Sequence, residues 1–263
     1  MDLREKVVLI TGASTGIGEA CAHAFGRRGA RLILTARSAE ALERVCRAVQ
    51  PAQAKAVPAD LTHPEEVSAL VQRATACYGR VDILVNNAGV GLYQPSWEAD
   101  QAQVREMMEI NFFAPLALIQ GIVPYMRRQG GGIIVNVSSI AGKIPLPWLT
   151  VYSAGKAALN YLSEGLRMEL NDAGIRVLVV CPGYVSTGFS QHVLAGRLPQ
   201  AVAGRRRFTI TREQCARAIV AGVEKGKRTV VTPRTGWLLI ALARLFPAPV
   251  HAILARMQGP ARE

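Results

Sequence analysis

Thr11-Gly12-Ala13-Ser14-Thr15-Gly16-Ile17-Gly18 stands between the apolar run Lys6–Ile10 and the segment Glu19–Ala30. Three glycines within seven residues, directly after a strand-like run, open two readings. Glycines punctuate turns wherever they occur, and alone they say little. The sharper reading is a strand-to-helix turn flattened so that a phosphate can sit on the helix N-terminus. There, unpaired N–H groups and the helix dipole favour negative charge. The spacing is G-x-x-x-G-x-G and not G-x-G-x-x-G, so the simple dinucleotide fingerprint does not decide between them.

The pattern on either side of this turn extends along the chain. Short apolar runs predict strands at Lys6–Ile10, Arg31–Thr35, Lys55–Pro58, Asp82–Asn86, Gly132–Val137, Ile175–Val180 and Thr229–Thr232. Helix-length segments lie between them, at about 17–28, 39–49, 63–78, 100–128, 152–173 and 212–225. Strand-then-helix alternation with near-continuously apolar strands is the pattern of a doubly wound parallel sheet covered on both faces. No repeat or low-complexity linker divides the 263 residues, so one α/β domain is expected. Half of the residues are hydrophobic, enough for a globular core. The five cysteines are scattered and odd in number, which argues against a disulfide framework or a zinc site. With no signal-like stretch at the start, a cytoplasmic, reducing location is expected.

In open α/β sheets, ligands bind beyond the carboxyl ends of the strands. The second strand ends in Thr35-Ala36-Arg37-Ser38, with no acid to meet a free ribose 2′-hydroxyl. Arg37 offers a planar fork for a 2′-phosphate, which favours NADP over NAD if the site takes a dinucleotide. The third strand ends at Ala59-Asp60-Leu61, the fourth at Asn86-Asn87-Ala88-Gly89 and the fifth at Asn136-Val137-Ser138-Ser139. Thirteen residues after Ser139 comes Tyr152-Ser153-Ala154-Gly155-Lys156. A Tyr and a Lys four apart share a helix face. A neighbouring ammonium favours the phenolate and so lowers a phenol's pKa toward proton transfer.

The ordered set TGxxxGIG, NNAG, Asn111, Ser138-Ser139, YxxxK and Pro182-Gly183 resembles the short-chain dehydrogenase/reductase family over about residues 5 to 233. The resemblance implies a single Rossmann-type sheet of about seven strands with helices on both faces, followed by a C-terminal helical extension. It implies hydride transfer between a nicotinamide cofactor, NADP(H) by the Arg37 argument, and a ketone or secondary alcohol. By similarity Tyr152 is the general acid or base, Ser139 holds the substrate oxygen, and Lys156 lowers the Tyr152 pKa and binds the nicotinamide ribose. Asn111 kinks its helix and holds a water that relays protons to Lys156. The cofactor would lie along Gly12, Ser14, Thr15, Gly16, Ile17 and Gly18, with Arg37 and Ser38 at the 2′-phosphate and Asp60 and Leu61 at the adenine. Asn87, Ala88 and Gly89 would border its ribose, and Pro182, Gly183, Val185 and Thr187 the nicotinamide. No metal is implied.

Two segments depart from compact members. Residues 184–212 should cover the substrate as a lid on the catalytic domain 1–233. Residues 234–263 form the extension, and its stretch 234–258 is similar to the tails of members acting on lipids, steroids or retinoids. Trp237–Phe246 and the helical spacing of Val250, Ile253, Leu254 and Met257 predict two apolar helices separated by Pro247 and Pro249. These helices are expected to close one end of the substrate cleft, with an interfacial membrane contact as the alternative. Charge is concentrated here: residues 191–263 hold 13 Lys/Arg against 3 Asp/Glu, whereas residues 1–190 hold 18 against 16. A basic quarter could meet a membrane or an acidic substrate carrier, so a 3-oxoacyl thioester reductase is an alternative function. A non-catalytic NADP(H) sensor is another, disfavoured by the intact Ser139, Tyr152 and Lys156. Nucleic acid is not expected, because the basic region comes with no recognised binding motif. A homodimer through the helices near 100–128 and 152–173, or a tetramer, is implied by the family.

Overall fold

The computed structural model describes residues 1–49, 52–186, 193–196 and 209–256. Its centre is a seven-stranded parallel sheet. In chain order the strands are β1 (Val7–Thr11), β2 (Arg31–Thr35), β3 (Ala54–Ala56), β4 (Ile83–Asn86), β5 (Gly132–Val137), β6 (Ile175–Pro182) and β9 (Thr229–Thr232). Their spatial order is β3-β2-β1-β4-β5-β6-β9, so the strand order reverses between β1 and β4. At that reversal the two crossovers leave on opposite faces, and a crevice opens at the carboxyl edge. Two short strands, β7 (Val185–Ser186) and β8 (Ile210–Thr211), pair in parallel beyond β6.

The strands read as unbroken apolar runs because each side chain is buried on one face or the other. In β1, Val8 and Ile10 face a cluster built with Phe25, Leu42, Val45 and Ile219. Val7 and Leu9 face the opposite cluster, with Val67, Leu70, Leu118 and Leu166. The first layer comprises α1 (Gly16–Gly26), α2 (Ala39–Ala48) and α7 (Arg212–Glu224); the second comprises α3 (Pro64–Tyr78), α5 (Ala114–Arg128) and α6 (Thr150–Glu169). The long helix expected at 100–128 is α4 (Gln101–Met108) continuing into α5 through a π turn, Glu109–Phe113.

The C-terminal tail forms α8 (Gly236–Leu245) and α9 (Pro247–Ala255), bent by 115°. The break falls at Phe246, and Pro247 starts α9 instead of separating the helices from outside. Proline is tolerated at the first helical position because the N–H it lacks would have no intrahelical partner there. Against the described residues the two helices cover little of their apolar surface. Ile240 is buried with Ile144, Val179, Cys181 and Val231, and Ala243 and Leu254 pack at the edge of that cluster. Trp237, Leu238, Leu239, Leu242, Leu245 and Phe246 remain exposed.

Candidate active site

At the crevice, β1 and β4 are tied together by side chains. Thr11 Oγ1 accepts from the N–H groups of both Asn87 and Ala88 at 2.9 Å. Asn87 Nδ2 donates to the Thr11 carbonyl at 2.9 Å and to the Gly12 carbonyl at 3.3 Å. These contacts press the glycine turn against the end of β4. Gly12 and Gly16 have left-handed φ of 62° and 59°. A Cβ on Gly18 would lie 2.1 Å from the Gly12 carbonyl oxygen and 2.7 Å from Asn87 Nδ2, so no other residue fits there. Thr15 caps α1 with its backbone only, and its side chain makes no capping bond. The first turn of α1 therefore presents bare N–H groups at the crevice, a setting that suits a phosphate.

Arg37 and Ser38 follow β2, and Ser38 Oγ accepts from Ala41 N at 3.2 Å, capping α2. Arg37 is exposed and lies close enough to act on Asp60 at the end of β3. Burial works against the Asp60 carboxylate, but hydrogen bonds from Thr62 and the charges of Arg37 and His63 outweigh it and hold the pKa below its usual value. Leu61 and Val185 turn their side chains into the two cores, leaving only backbone to the crevice. Thr187 lies outside the described residues.

Further along the edge, Ser138 and Ser139 part as strand alternation predicts. Ser138 Oγ donates to the Lys156 carbonyl at 3.1 Å. Ser139 accepts from Ala141 N at 3.1 Å and is hydrogen-bonded to Tyr152. Lys156 Nζ donates to the Val137 carbonyl at 3.2 Å and lies 5.8 Å from the Tyr152 ring centroid. Asn111 sits in the π turn, which swings its side chain out of helical register. It accepts from Val90 N at 3.1 Å and donates to the Val90 carbonyl at 2.8 Å. A Cβ on Gly89 would meet Asn111 Oδ1 at 2.8 Å and Lys156 Nζ at 3.3 Å, which puts both groups against one backbone. Gly183 follows the buried Pro182 and donates to the Thr232 carbonyl at 2.8 Å, beside Ile140.

Burial dominates the electrostatics of the pair. Burial pushes the Tyr152 phenol up to about 12, and the Ser139 hydrogen bond opposes it. Burial also drives Lys156 down to about 8, with Cys181 acting in the opposite direction.

Sequence reasoning missed Arg44 and Tyr93 at this edge and gave the strap at 193–196 only as part of the lid 184–212. Arg44 on α2 donates to the Ser14 carbonyl at 3.0 Å and to Glu19 at 3.3 Å, bracing the glycine turn with a second cation. Tyr93 is buried, and desolvation together with the Tyr152 and Tyr184 phenols raises its pKa well above the usual range. The strap Val193–Gly196 crosses the loop after β4, with Leu194 N donating to the Gly91 carbonyl at 2.9 Å and Tyr93 N to the Ala195 carbonyl at 3.0 Å. The clue for Tyr93 lay in its position, seven residues past Asn86 at a strand's carboxyl end.

Comparison with known proteins agrees with this geometry. The family model for short chain dehydrogenases matches residues 6–197. The ketoacyl reductase HetN of Nostoc is 33% identical over 95% of this chain and 88% of its own. A short-chain dehydrogenase structure from Streptomyces avermitilis superposes with a TM-score of 0.82 at 34% identity, covering 97% of this chain and 96% of that one. A metagenomic short-chain oxidoreductase, solved in complex with NADP, gives 0.74 at 31% identity over 88% and 97%. A parallel sheet reversed at β1 and β4, a glycine turn at that reversal and a Ser-Tyr-Lys set beside it, together with these matches, make the chain an oxidoreductase of the short-chain dehydrogenase/reductase family.

Proposed function

We propose that the chain is an NADP(H)-dependent oxidoreductase interconverting a ketone and a secondary alcohol on a fairly apolar substrate. The observation that carries this reading is the Tyr152–Ser139 hydrogen bond with Lys156 one turn along the same helix. When bound, the dinucleotide supplies or accepts the hydride. Ser139 holds the substrate oxygen, and Tyr152 gives that oxygen a proton or takes one from it. Lys156 and Asn111 stand behind Tyr152 against Gly89, where they can pass protons inward. The glycine turn and the first turn of α1 hold the pyrophosphate, bordered by Asn87, Ala88 and Gly89.

Preference for NADP is supported by the exposed Arg37, the absence of an acid at 35–38 and a second cation, Arg44 on α2, held against the glycine turn. NADPH should bind more tightly than NADH, and Arg37→Asp should narrow the ratio by roughly tenfold or more. Equal affinity of the unaltered protein for both, read by fluorescence titration, rules the preference out. The buried Tyr93 on the substrate side supports an apolar substrate. Reduction of a 3-oxoacyl thioester is the second reading, favoured by the likeness to HetN. NADPH oxidation against steroid, sphingoid and aryl ketones and acyl thioesters separates the two. Exposed Phe113, Tyr161 and Met168 on the π turn and α6 support a homodimer through these helices. Five free thiols suit a reducing, cytoplasmic setting.

A further inference from the structure

Helix α8 is apolar almost all round: its ten residues carry one charge, Arg244. Such a helix ordinarily sits inside a core or in lipid. Among the described residues, only the stripe through Gly236, Ile240 and Ala243 finds cover. Leu238 is 64% exposed and Leu245 72%, and Phe246, Pro247 and Ile253 continue the uncovered surface around the corner into α9. A contiguous apolar patch of this kind marks a contact surface.

The charge around the patch identifies what it contacts. From Lys225 to Arg256 the chain carries six cations and no carboxylate. Arg234, Arg244 and Arg256 are all exposed and flank or interrupt the two helices. A second copy of this chain docking through a two-fold axis would bring the same cationic stretch against itself. An anionic phospholipid surface offers hydrocarbon for the apolar corner and negative headgroups for the arginines. The helices, at about 15 and 14 Å long, fall well short of the ~30 Å hydrocarbon core, and the 115° bend keeps them from adding up to a span. We propose that α8 and α9 form an interfacial anchor, with Leu245 and Phe246 entering the acyl boundary and the three arginines lying among the headgroups.

The test is co-sedimentation of the full chain with sucrose-loaded vesicles of phosphatidylcholine alone or of equimolar phosphatidylcholine and phosphatidylglycerol. The full chain should pellet with the mixed vesicles at low salt, and salt should release it. Leu245→Glu with Phe246→Glu should weaken partitioning on the order of 100-fold, given the hydrocarbon burial that both side chains lose. Arg234→Gln, Arg244→Gln and Arg256→Gln together should weaken it on the order of 100-fold as well. These three positions are exposed, so this variant keeps the test decisive even if the double glutamate variant misfolds. Equal, salt-insensitive pelleting with neutral vesicles overturns the anionic surface. Failure to pellet, with a sedimentation mass that the glutamate pair halves, overturns the proposal in favour of a second copy of the chain.

Discussion

Lys156 is an ammonium side chain with 4% of its surface exposed, and Leu245 is an aliphatic one with 72% exposed. Both placements run against the ordinary preference of charge for water and hydrocarbon for the interior. The difference lies in what surrounds them. Lys156 has a fixed acceptor in the Val137 carbonyl, Asn111 across Gly89 and the Tyr152 ring nearby, all supplied by the fold. Leu245 has no comparable cover among the described residues. An inverted placement that the chain itself compensates marks a site assembled on folding. One left uncompensated marks a surface completed from outside.

The comparison can be broken from either side. The largest effect belongs to the assembled site: Tyr152→Phe keeps the ring and removes the transferable proton. Turnover should fall ~10²- to 10⁴-fold while NADPH still binds. Near-normal turnover in a ketone-reduction assay removes Tyr152 from the proton path.

A smaller effect concerns Lys156 and pH in the cofactor-free protein. Burial depresses its folded pKa from 10.5 to about 8. Below about 8 both folded and unfolded chains hold the proton, and the full penalty of burying the charge applies. Between about 8 and 10.5 the unfolded chain holds more protons, so stability rises with pH, and above 10.5 the penalty is gone. Urea unfolding of the unaltered protein and of Lys156→Met should show a stability difference that changes by about 3 kcal/mol across this window. A flat difference means the ammonium is not desolvated as the structure shows it.

The smallest effect belongs to the tail. Leu245→Ala should change unfolding stability by no more than about 0.5 kcal/mol without lipid, because its contacts are mostly with water. A loss of several kcal/mol (about what a buried leucine gives) would mean that the patch is covered within the protein, and the contrast with Lys156 would disappear.

The sheet is legible in the sequence because parallel strands buried on both faces carry a local signal. Arg31–Thr35, Gly132–Val137 and Thr229–Thr232 begin and end where their apolar runs do. The meeting of Gly12, Asn87, Ser139, Tyr152 and Lys156 at one edge follows from the rule that parallel strands end on the same side. Contacts made only after the chain closes are not legible. β7 and β8 are two residues each, too short for any periodicity, and they pair across the intervening residues 187–209. Arg44 sits on an ordinary amphipathic helix and becomes a brace only because α2 lies beside the glycine turn. The exposure of α8 is hidden for the opposite reason. Its composition is that of a buried helix, and nothing local says that only one stripe finds cover.

The π turn at Glu109–Phe113 also sets how the gene for this chain can change in length. A π turn holds one residue more than the α-helical ladder needs. Deleting any one residue there would let α4 and α5 fuse into a regular helix, a local gain in hydrogen bonding. Because the bulge already absorbs its extra residue, the turns on either side of the deletion would keep the faces they present now. Met107, fully buried before the turn, and Leu118 and Ile122, fully buried after it, would fall within about 80° of one another in the fused helix and could all still face the core, but the wide turn that carries Asn111 would be gone. Asn111 would also lose its hold on Val90. Single-residue deletions between 109 and 113 should therefore pass a deletion scan for folding and fail one for activity, because Asn111 leaves its place against Val90 and Gly89.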